Sequence, residues 1–317
     1  ATAAPPGDGS GECSDPATLN GTVFDEQRVI RAPEVWTLAG SPYRGLDVHV
    51  TDTASVQIEP GVKVCLRSLT ITGGQLLAVG TADKPIRFTG DPTFGLQLVF
   101  AGESRASELR HVDAVGISGV LAQFHPLLVE DARWQAHQSG DPSRDFHCTL
   151  FRPGPTSMIQ VRRTVFEGFG RLLGNVQGCP AVELRATPGA STTPTAVPSV
   201  FEAAVRHSFG TGVEVWGGGP GGWQLQGCEV SGSSGDGIQI RRESGGQVPT
   251  PGVETLHGCA LFGNGGLGVN NLQPGAFTVD ARGNWWGDPA GAGGPAGDGV
   301  SAGVDASAPL AAAPVPN

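Results

Sequence analysis

The chain has 317 residues, with 50 Gly, 25 Pro and a hydrophobic fraction of 38%. Its formal net charge is −10, from 20 basic and 30 acidic residues, and it carries no block of Lys and Arg, which excludes a nucleic-acid partner held by its phosphates. No run reaches the roughly 20 apolar residues that a membrane-spanning helix needs. The abundant turn formers and the short, evenly spaced apolar clusters together predict many short strands joined by turns.

Strand-sized pieces occupy the first third of the chain. The stretch "VQIEPGVKV" (56–64) alternates apolar and polar residues on both sides of the turn dipeptide Pro60-Gly61. Further short pieces with turn residues between them are "VHV", "LTI", "LLAVG" and "IRF". This spacing is typical of an all-β chain and not of helices.

Residues 121–148 form a polar segment that is rich in histidine. It contains His125, His137 and His147, together with four acids. Such side chains in a projecting loop can bind a metal ion, but no recognised ligand spacing is present. We therefore interpret the segment as structural and predict no metal site.

The last third of the chain contains an internal repeat. The segments "AAVRHSFGTGVEVW" (203–216), "GCEVSGSSGDGIQIR" (227–241) and "GCALFGNGGLGVNNL" (258–272) each place a Gly-rich turn before G-x-G and an alternating apolar piece. A weaker copy is "RTVFEGFGRLLGNV" (163–176). Short strands that recur at this spacing, with no helical period, predict a β-solenoid.

Strand alternation assigns a direction to each residue of the repeat. It predicts an inward core stack, formed by Val213, Val215, Ile238, Ile240 and Val269.

The outward positions of the repeat form a candidate ligand-binding surface. One outward column contains Glu214, Gln239 and Asn270, and the next contains Trp216 and Arg241, followed by Leu272. An exposed Trp beside Arg and amide groups can stack on sugar rings. The competing interpretation is an ordinary solvated face with one shielded Trp.

A catalytic role is conceivable for three residues of this region. Asp236 lies in a G-D-G turn close in sequence to Arg241, and Glu214 lies on the preceding repeat. The equivalents of Asp236 in the neighbouring repeats are Thr211 and Leu267, so no ladder of acids forms there. Because G-D-G is a common turn, these residues are weak catalytic candidates.

Three motifs resemble those of the secreted bacterial right-handed parallel β-helix repeat proteins. They are "VQIEPGVKVCL" (56–66), "GTADKPIRFTG" (80–90) and "GNWWGDPAGAGGPAGDGV" (283–300). The resemblance implies an all-β, single-stranded, right-handed parallel β-helix, a solenoid with capped ends. That fold is shared by polysaccharide lyases, hydrolases, epimerases, adhesins and structural surface proteins, so the resemblance says little about activity.

The ends of a solenoid need covers, because the last coil would otherwise expose apolar side chains. We expect residues 1–47 to form an N-terminal segment and cap, with Trp36 and Tyr43 as packing anchors. The helix is expected over 48–282, and a C-terminal cap and tail over 283–317. In "NWWG", strand alternation lets only one of the two tryptophans face the core.

Six cysteines fit the predicted register. Cys228 and Cys259 each stand seven residues before a repeat glycine, and parallel neighbours about 4.8 Å apart can form a disulfide. Cys148 and Cys179 have the same separation and are expected to pair likewise. The remaining pair, Cys13 and Cys65, would join the N-terminal cap to an early coil. A stack of free thiols is the competing interpretation.

An even number of scattered cysteines favours an oxidising compartment, and we expect an extracellular or cell-surface location. No cofactor is expected. Calcium is possible at the tail acids Asp288, Asp298 and Asp305, although their spacing matches neither an EF-hand nor a calcium-binding repeat.

We expect a non-catalytic extracellular or cell-surface protein with a structural, adhesive or glycan-binding role. Its partner would be a polysaccharide or another surface component, and end-to-end self-association is possible. One alternative is a polysaccharide lyase or glycoside hydrolase that acts on an outward sheet face. Another is a subunit of an extracellular filament.

Overall fold

The computed structural model describes residues 21–24, 27–102, 105–137, 148–154, 157–170, 179–185, 199–217, 223–242 and 256–314. In this part of the chain the protein is all-β, and the one helical segment is a 3₁₀ turn at Leu38–Gly40. The strands build a long parallel sheet of many strands, which is compatible with a parallel β-helix.

Strand pairing arranges the sheet as three columns of parallel strands. Five long strands turn a corner and contribute one half to each of two columns. The first column contains β1 (Thr22–Val23), the first halves of β4 (Tyr43–Thr51), β6 (Lys63–Thr72) and β11 (Val112–Gln123), together with β8 (Ile86–Gly90), β13 (Arg133–Ala136), the second halves of β15 (Ile159–Glu167) and β17 (Ser199–Arg206), β20 (Glu229–Ser231) and β23 (Ala260–Phe262).

The other two columns are built in the same way. The second column contains β2 (Gln27–Ile30), the second halves of β4, β6 and β11, β9 (Leu96–Ala101), β14 (Cys148–Arg152), β16 (Val182–Arg185), β18 (Val213–Gly217), β21 (Ile238–Arg242) and β24 (Val269–Asn271). The third column contains β3 (Glu34–Trp36), β5 (Ser55–Ile58), β7 (Gln75–Val79), β10 (Ser107–Arg110), β12 (Leu127–Glu130), the first halves of β15 and β17, β19 (Trp223–Gln226) and β22 (Leu256–His257).

The chain visits the columns in the same order on each passage. From β17 it continues to β18 in the second column and β19 in the third, and then returns to the first column as β20, which pairs with the second half of β17. In the same way β21 pairs with β18, and β22 pairs with β19. Two short strands, β25 (Val279–Asp280) and β26 (Val304–Asp305), pair with each other after the last full passage.

The predicted core stack is confirmed. Val213 pairs with Ile238, which pairs with Val269, and Val215 pairs with Ile240. All five side chains are buried. Burial of a Val or Ile side chain contributes about 1.5–3 kcal/mol relative to exposure, so the repeated apolar positions stabilise every passage in the same way.

Corners between columns explain why glycine recurs. After the first-column strands of the later passages the chain turns through a left-handed residue, for example Gly168, His207 and Gly232. The amide of each donates to the passage that follows it, as from Gly232 to the Phe262 carbonyl at 3.3 Å. Glycine suits this backbone conformation because it has no Cβ.

The motif "NWWG" closes the C-terminal end of the core. Trp286 is fully buried, whereas Trp285 is half-buried and bridges in parallel to Ala260. Asn284 is also fully buried. Its Oδ1 accepts a hydrogen bond from the Cys259 amide at 2.8 Å, and its Nδ2 donates to two backbone carbonyls. One tryptophan therefore faces the core, as predicted from strand alternation.

Strand pairing extends into both predicted caps. At the N-terminal end Trp36 stacks on Tyr43 with ring centroids 4.9 Å apart, and both rings are buried beside Phe24. These are the expected anchors, but Thr22 already pairs with Tyr43. At the other end Val300 bridges to β24, and β26 follows it. Within the described residues the paired region is longer than the predicted span 48–282.

Two of the three predicted disulfides are present, Cys148–Cys179 and Cys228–Cys259, with Cα atoms 5.9 and 4.4 Å apart. The second bridge is buried, whereas the cysteines of the first are half-buried. Cys65 is disulfide-bonded as well, and its predicted partner Cys13 lies outside the described residues.

Candidate functional site

Four polar side chains lie in line on neighbouring strands of the second column. Glu183 of β16 pairs in register with Glu214 of β18, which pairs with Gln239 of β21 and then Asn270 of β24. The predicted outward column is therefore confirmed as a line, and it begins one strand earlier than predicted.

A second line runs beside the first, two residues further along each strand. It contains Arg185, Trp216 and Arg241. The two guanidinium carbons lie 4.7 and 4.6 Å from the Trp216 ring centroid. Because the two arginines come from the strands on either side, the indole ring is held between two cations. The arginines occupy the faces of the indole ring on which a sugar would stack. Nothing in the structure tests whether Trp216 binds a ligand, and that role stays a prediction.

Each glutamate of the first line pairs with an arginine of the second. Arg185 contacts the carboxylate of Glu183, and Arg241 contacts that of Glu214. Burial raises the pKa of the Glu214 carboxyl above its usual range, Arg241 opposes this shift, and the neighbouring Glu183 carboxylate adds to it. The site thus holds two adjacent carboxylates, one of which has an increased affinity for a proton.

Side chains at the outward positions of this site are not all exposed to solvent. Glu214 and Gln239 are each only 7% exposed, which corrects the expectation of a simple solvated face. The Glu214 carboxylate pairs with Arg241, and the Gln239 amide donates to Asp236 at 2.8 Å. Side chains that bond one another across neighbouring strands reduce one another's contact with water.

Asp236 is fully engaged in hydrogen bonds within the fold. Its Oδ1 accepts from the Leu267 amide, and its Oδ2 accepts from the side chains of Gln239 and Asn270, all at 2.8 Å. These bonds connect the G-D-G turn to the next passage. The geometry favours the structural interpretation of this turn, and a catalytic role for Asp236 stays untested.

Sequence reasoning missed Glu183 and Arg185. The first part of the weaker copy, 163–176, pairs with β17, with Thr164 opposite Ala203. The matching strand of the second column comes later, at "VELR" (182–185), and lacks the G-x-G landmark. The similarity of "VELR" to "VEVW" (213–216), 31 residues on, was the available signal.

The histidine-rich segment is partly regular structure. His125 is fully buried, and its Nε2 lies 2.8 Å from the Ser107 hydroxyl. His147 lies outside the described residues, as do the acids Asp141 and Asp145. Among the described residues no group of three or more His, Cys, Asp or Glu could hold a metal ion.

The tail acids proposed for calcium take part in internal contacts. Asp288 accepts from the backbone of Ala290 and Ala296, and Asp298 accepts from Asn264. Asp305 accepts from the Ser307 amide. These hydrogen bonds organise the loop after Trp286 and the last short strand, and calcium binding stays untested.

Burial of His125 predicts a pH-dependent stability. Burial lowers the pKa of this imidazole, against a smaller opposing effect of the Gly102 backbone. The unfolded chain therefore takes up a proton first as the pH falls below about 6.5. Stability should be fully present above that pH and fall on acidification, by at most about 1.4 kcal/mol per pH unit for one proton.

Denaturant unfolding between pH 5 and 7.5 measures this slope. The variant His125→Gln should lose most of it, whereas His207→Asn, at an exposed imidazole, should keep it. An unchanged slope in His125→Gln would refute the assignment.

Comparison with protein-family models, with curated proteins and with solved structures finds no match for this chain. Two disulfides indicate an oxidising, extracellular environment. In the part of the chain that the structure describes, no helix has the length and apolarity needed to cross a membrane.

Proposed function

We propose that this chain is an exported, single-stranded, right-handed parallel β-helix that acts without catalysis as a surface or glycan-binding module. Three columns visited in constant order, with parallel pairing between the described strands, support the solenoid. The disulfides support a location outside the cytosol.

The observation that carries the binding role is the pair of lines on β16, β18 and β21. Strands in a column repeat about every 4.8 Å, so the lines present polar groups at regular intervals along the stack. A polymer with repeated hydroxyl or charged groups matches such a surface better than a small ligand does. Asp236, one of the weak catalytic candidates from the sequence, contributes its carboxylate to hydrogen bonds within the fold.

One observation favours a second candidate, a glycoside hydrolase or lyase. Glu183 and Glu214 are neighbours in register, and paired carboxylates are the usual groups of glycoside hydrolysis. The raised pKa of Glu214 suits a general acid. Both carboxylates are, however, paired with arginines.

A single experiment separates the two candidates. The protein is incubated with a panel of acidic and neutral polysaccharides, with and without Ca²⁺. The length of the polysaccharide chains and the retention of the protein on the immobilised polymer are measured together. Retention without cleavage is the expected result. Cleavage that is lost in Glu214→Gln would replace the proposal with the enzyme, and absence of both retention and cleavage would remove the glycan-binding role.

A further inference from the structure

We infer that the second column between β14 and β21 binds a carboxylate-bearing polysaccharide through Arg152, Arg185 and Arg241. The inference rests on the proposed function and adds the chemical class of the polymer.

The three arginines lie on one line across neighbouring strands. Arg185 and Arg241 flank Trp216 in register. Phe151 pairs with Leu184, so the next residue of β14 places Arg152 beside Arg185. At about 4.8 Å per strand, the backbones of Arg185 and Arg241 are roughly 10 Å apart, a separation that suits charges repeated along an extended polymer.

The arginine side chains at this patch are more exposed than the acids with which they pair. The side chains of Arg185 and Arg241 are 32% and 26% exposed, whereas those of Glu183 and Glu214 are 17% and 10% exposed. Solvent therefore contacts a larger fraction of each arginine than of its partner glutamate, on a chain whose net charge is −10. An acidic polymer is repelled by most of the protein and attracted at this line, which gives the interaction a defined place.

The guanidinium groups are already fixed in position. Arg185 and Arg241 are held by the Trp216 ring and by their glutamates, and the Arg152 guanidinium lies 5.2 Å from the Phe124 ring centroid. Arginine presents a planar fork of N–H donors that matches a carboxylate. Because the side chains are ordered in advance, binding loses less conformational entropy.

Arg152 is the member of the line that is best placed to bind an added anion. Among the residues that the structure describes, Arg152 has no ion-pair partner, in contrast to Arg185 and Arg241. A polymer carboxylate at Arg152 would supply that partner, and the next carboxylates would share the arginines that now contact Glu183 and Glu214.

The test compares two pairs of polymers, and the members of each pair share a sugar backbone but differ in charge. Polygalacturonate, its fully methyl-esterified form, a sulfated glucan and the neutral glucan are immobilised, and retention of the full chain is measured in a chelating buffer. We expect binding to polygalacturonate with an affinity at least tenfold above that for its ester. This preference should fall as salt is raised, since salt screens exposed charges.

Variants locate the interaction. Arg152→Gln breaks no ion pair among the described residues and should weaken polygalacturonate binding at least threefold, and the triple variant Arg152→Gln/Arg185→Gln/Arg241→Gln should weaken it at least tenfold. The control variant Arg133→Gln/Arg206→Gln/Arg282→Gln changes the charge equally at arginines paired elsewhere and should bind as wild type does. If the triple variant does not fold, Arg152→Gln alone decides.

The outcomes separate the inference from the proposed function. Equal retention on the acid, the ester and the neutral glucan would overturn the inference and leave glycan binding standing. Preference for the sulfated polymer over the carboxylated one would overturn it as well. Retention on no polymer would remove the proposed function itself, and equal losses in the triple and control variants would place the binding elsewhere.

Discussion

Replacing Asn284 with alanine should lower the free energy of unfolding by about 3 kcal/mol or more, because it leaves three buried backbone groups unpaired at about 1–3 kcal/mol each. The side chain is fully buried and accepts from the Cys259 amide at 2.8 Å. Its amide nitrogen donates to the carbonyls of Leu256 and Ala281, both at 2.7 Å. No other side chain at this corner replaces these bonds within the described residues.

Urea unfolding followed by tryptophan fluorescence measures the effect at the C-terminal end. Asn284→Asp should be nearly as harmful, since a carboxylate accepts but does not donate. Asn270→Ala is the matched control, because Asn270 is half-buried and its side chain donates, among the described residues, one hydrogen bond, to Asp236. If Asn284→Ala were no less stable than Asn270→Ala, the assigned role of Asn284 would be wrong.

Removal of the buried disulfide has an effect of similar size. Cys228→Ala/Cys259→Ala should cost roughly 3–4 kcal/mol, the chain-entropy value for a closed loop of this length. The two cysteines are 31 residues apart. An additional loss is expected, because the Cys228 amide donates to the Cys259 sulfur at 3.1 Å in a fully packed interior.

The second disulfide provides the comparison for this measurement. Cys148 and Cys179 are also 31 residues apart, so their entropic contribution is the same, but they are half-buried. Cys148→Ala/Cys179→Ala should therefore be less harmful than Cys228→Ala/Cys259→Ala. The reverse order in guanidinium unfolding would contradict the argument from burial.

Much of the fold could be predicted because its repeat leaves a direct record in the sequence. Strand side chains alternate with a period of two, and each passage repeats that pattern beside the last one. Val213 and Ile238 could therefore be stacked from spacing alone, and Cys228 could be paired with Cys259. The same periodicity identified the line of Glu214, Gln239 and Asn270, and strand alternation predicted a single inward tryptophan in "NWWG".

The remaining members of the candidate site, and the burial of its acids, depend on contacts that a repeat pattern does not record. The strand β16 begins at Val182, well after the G-x-G of the weaker copy at 168–170. Spacing from that landmark therefore does not place Glu183 and Arg185 beside Glu214 and Trp216. The burial of Glu214 depends on which neighbour its carboxylate meets, and that neighbour, Arg241, is 27 residues away. Arg152 belongs to a strand that precedes the recognisable repeat, so only the observed register brings it beside Arg185.

The Cys228–Cys259 bridge also sets how the chain would respond to a mechanical load. Ladder hydrogen bonds run from strand to strand, so a force applied to the two ends would peel passages away one at a time. The bridge ties two successive passages whose cysteines are 31 residues apart, and it excludes the chain between them from the stretched length, about 100 Å when extended. In a force–extension recording, reduction of the bridge would appear as that added contour length.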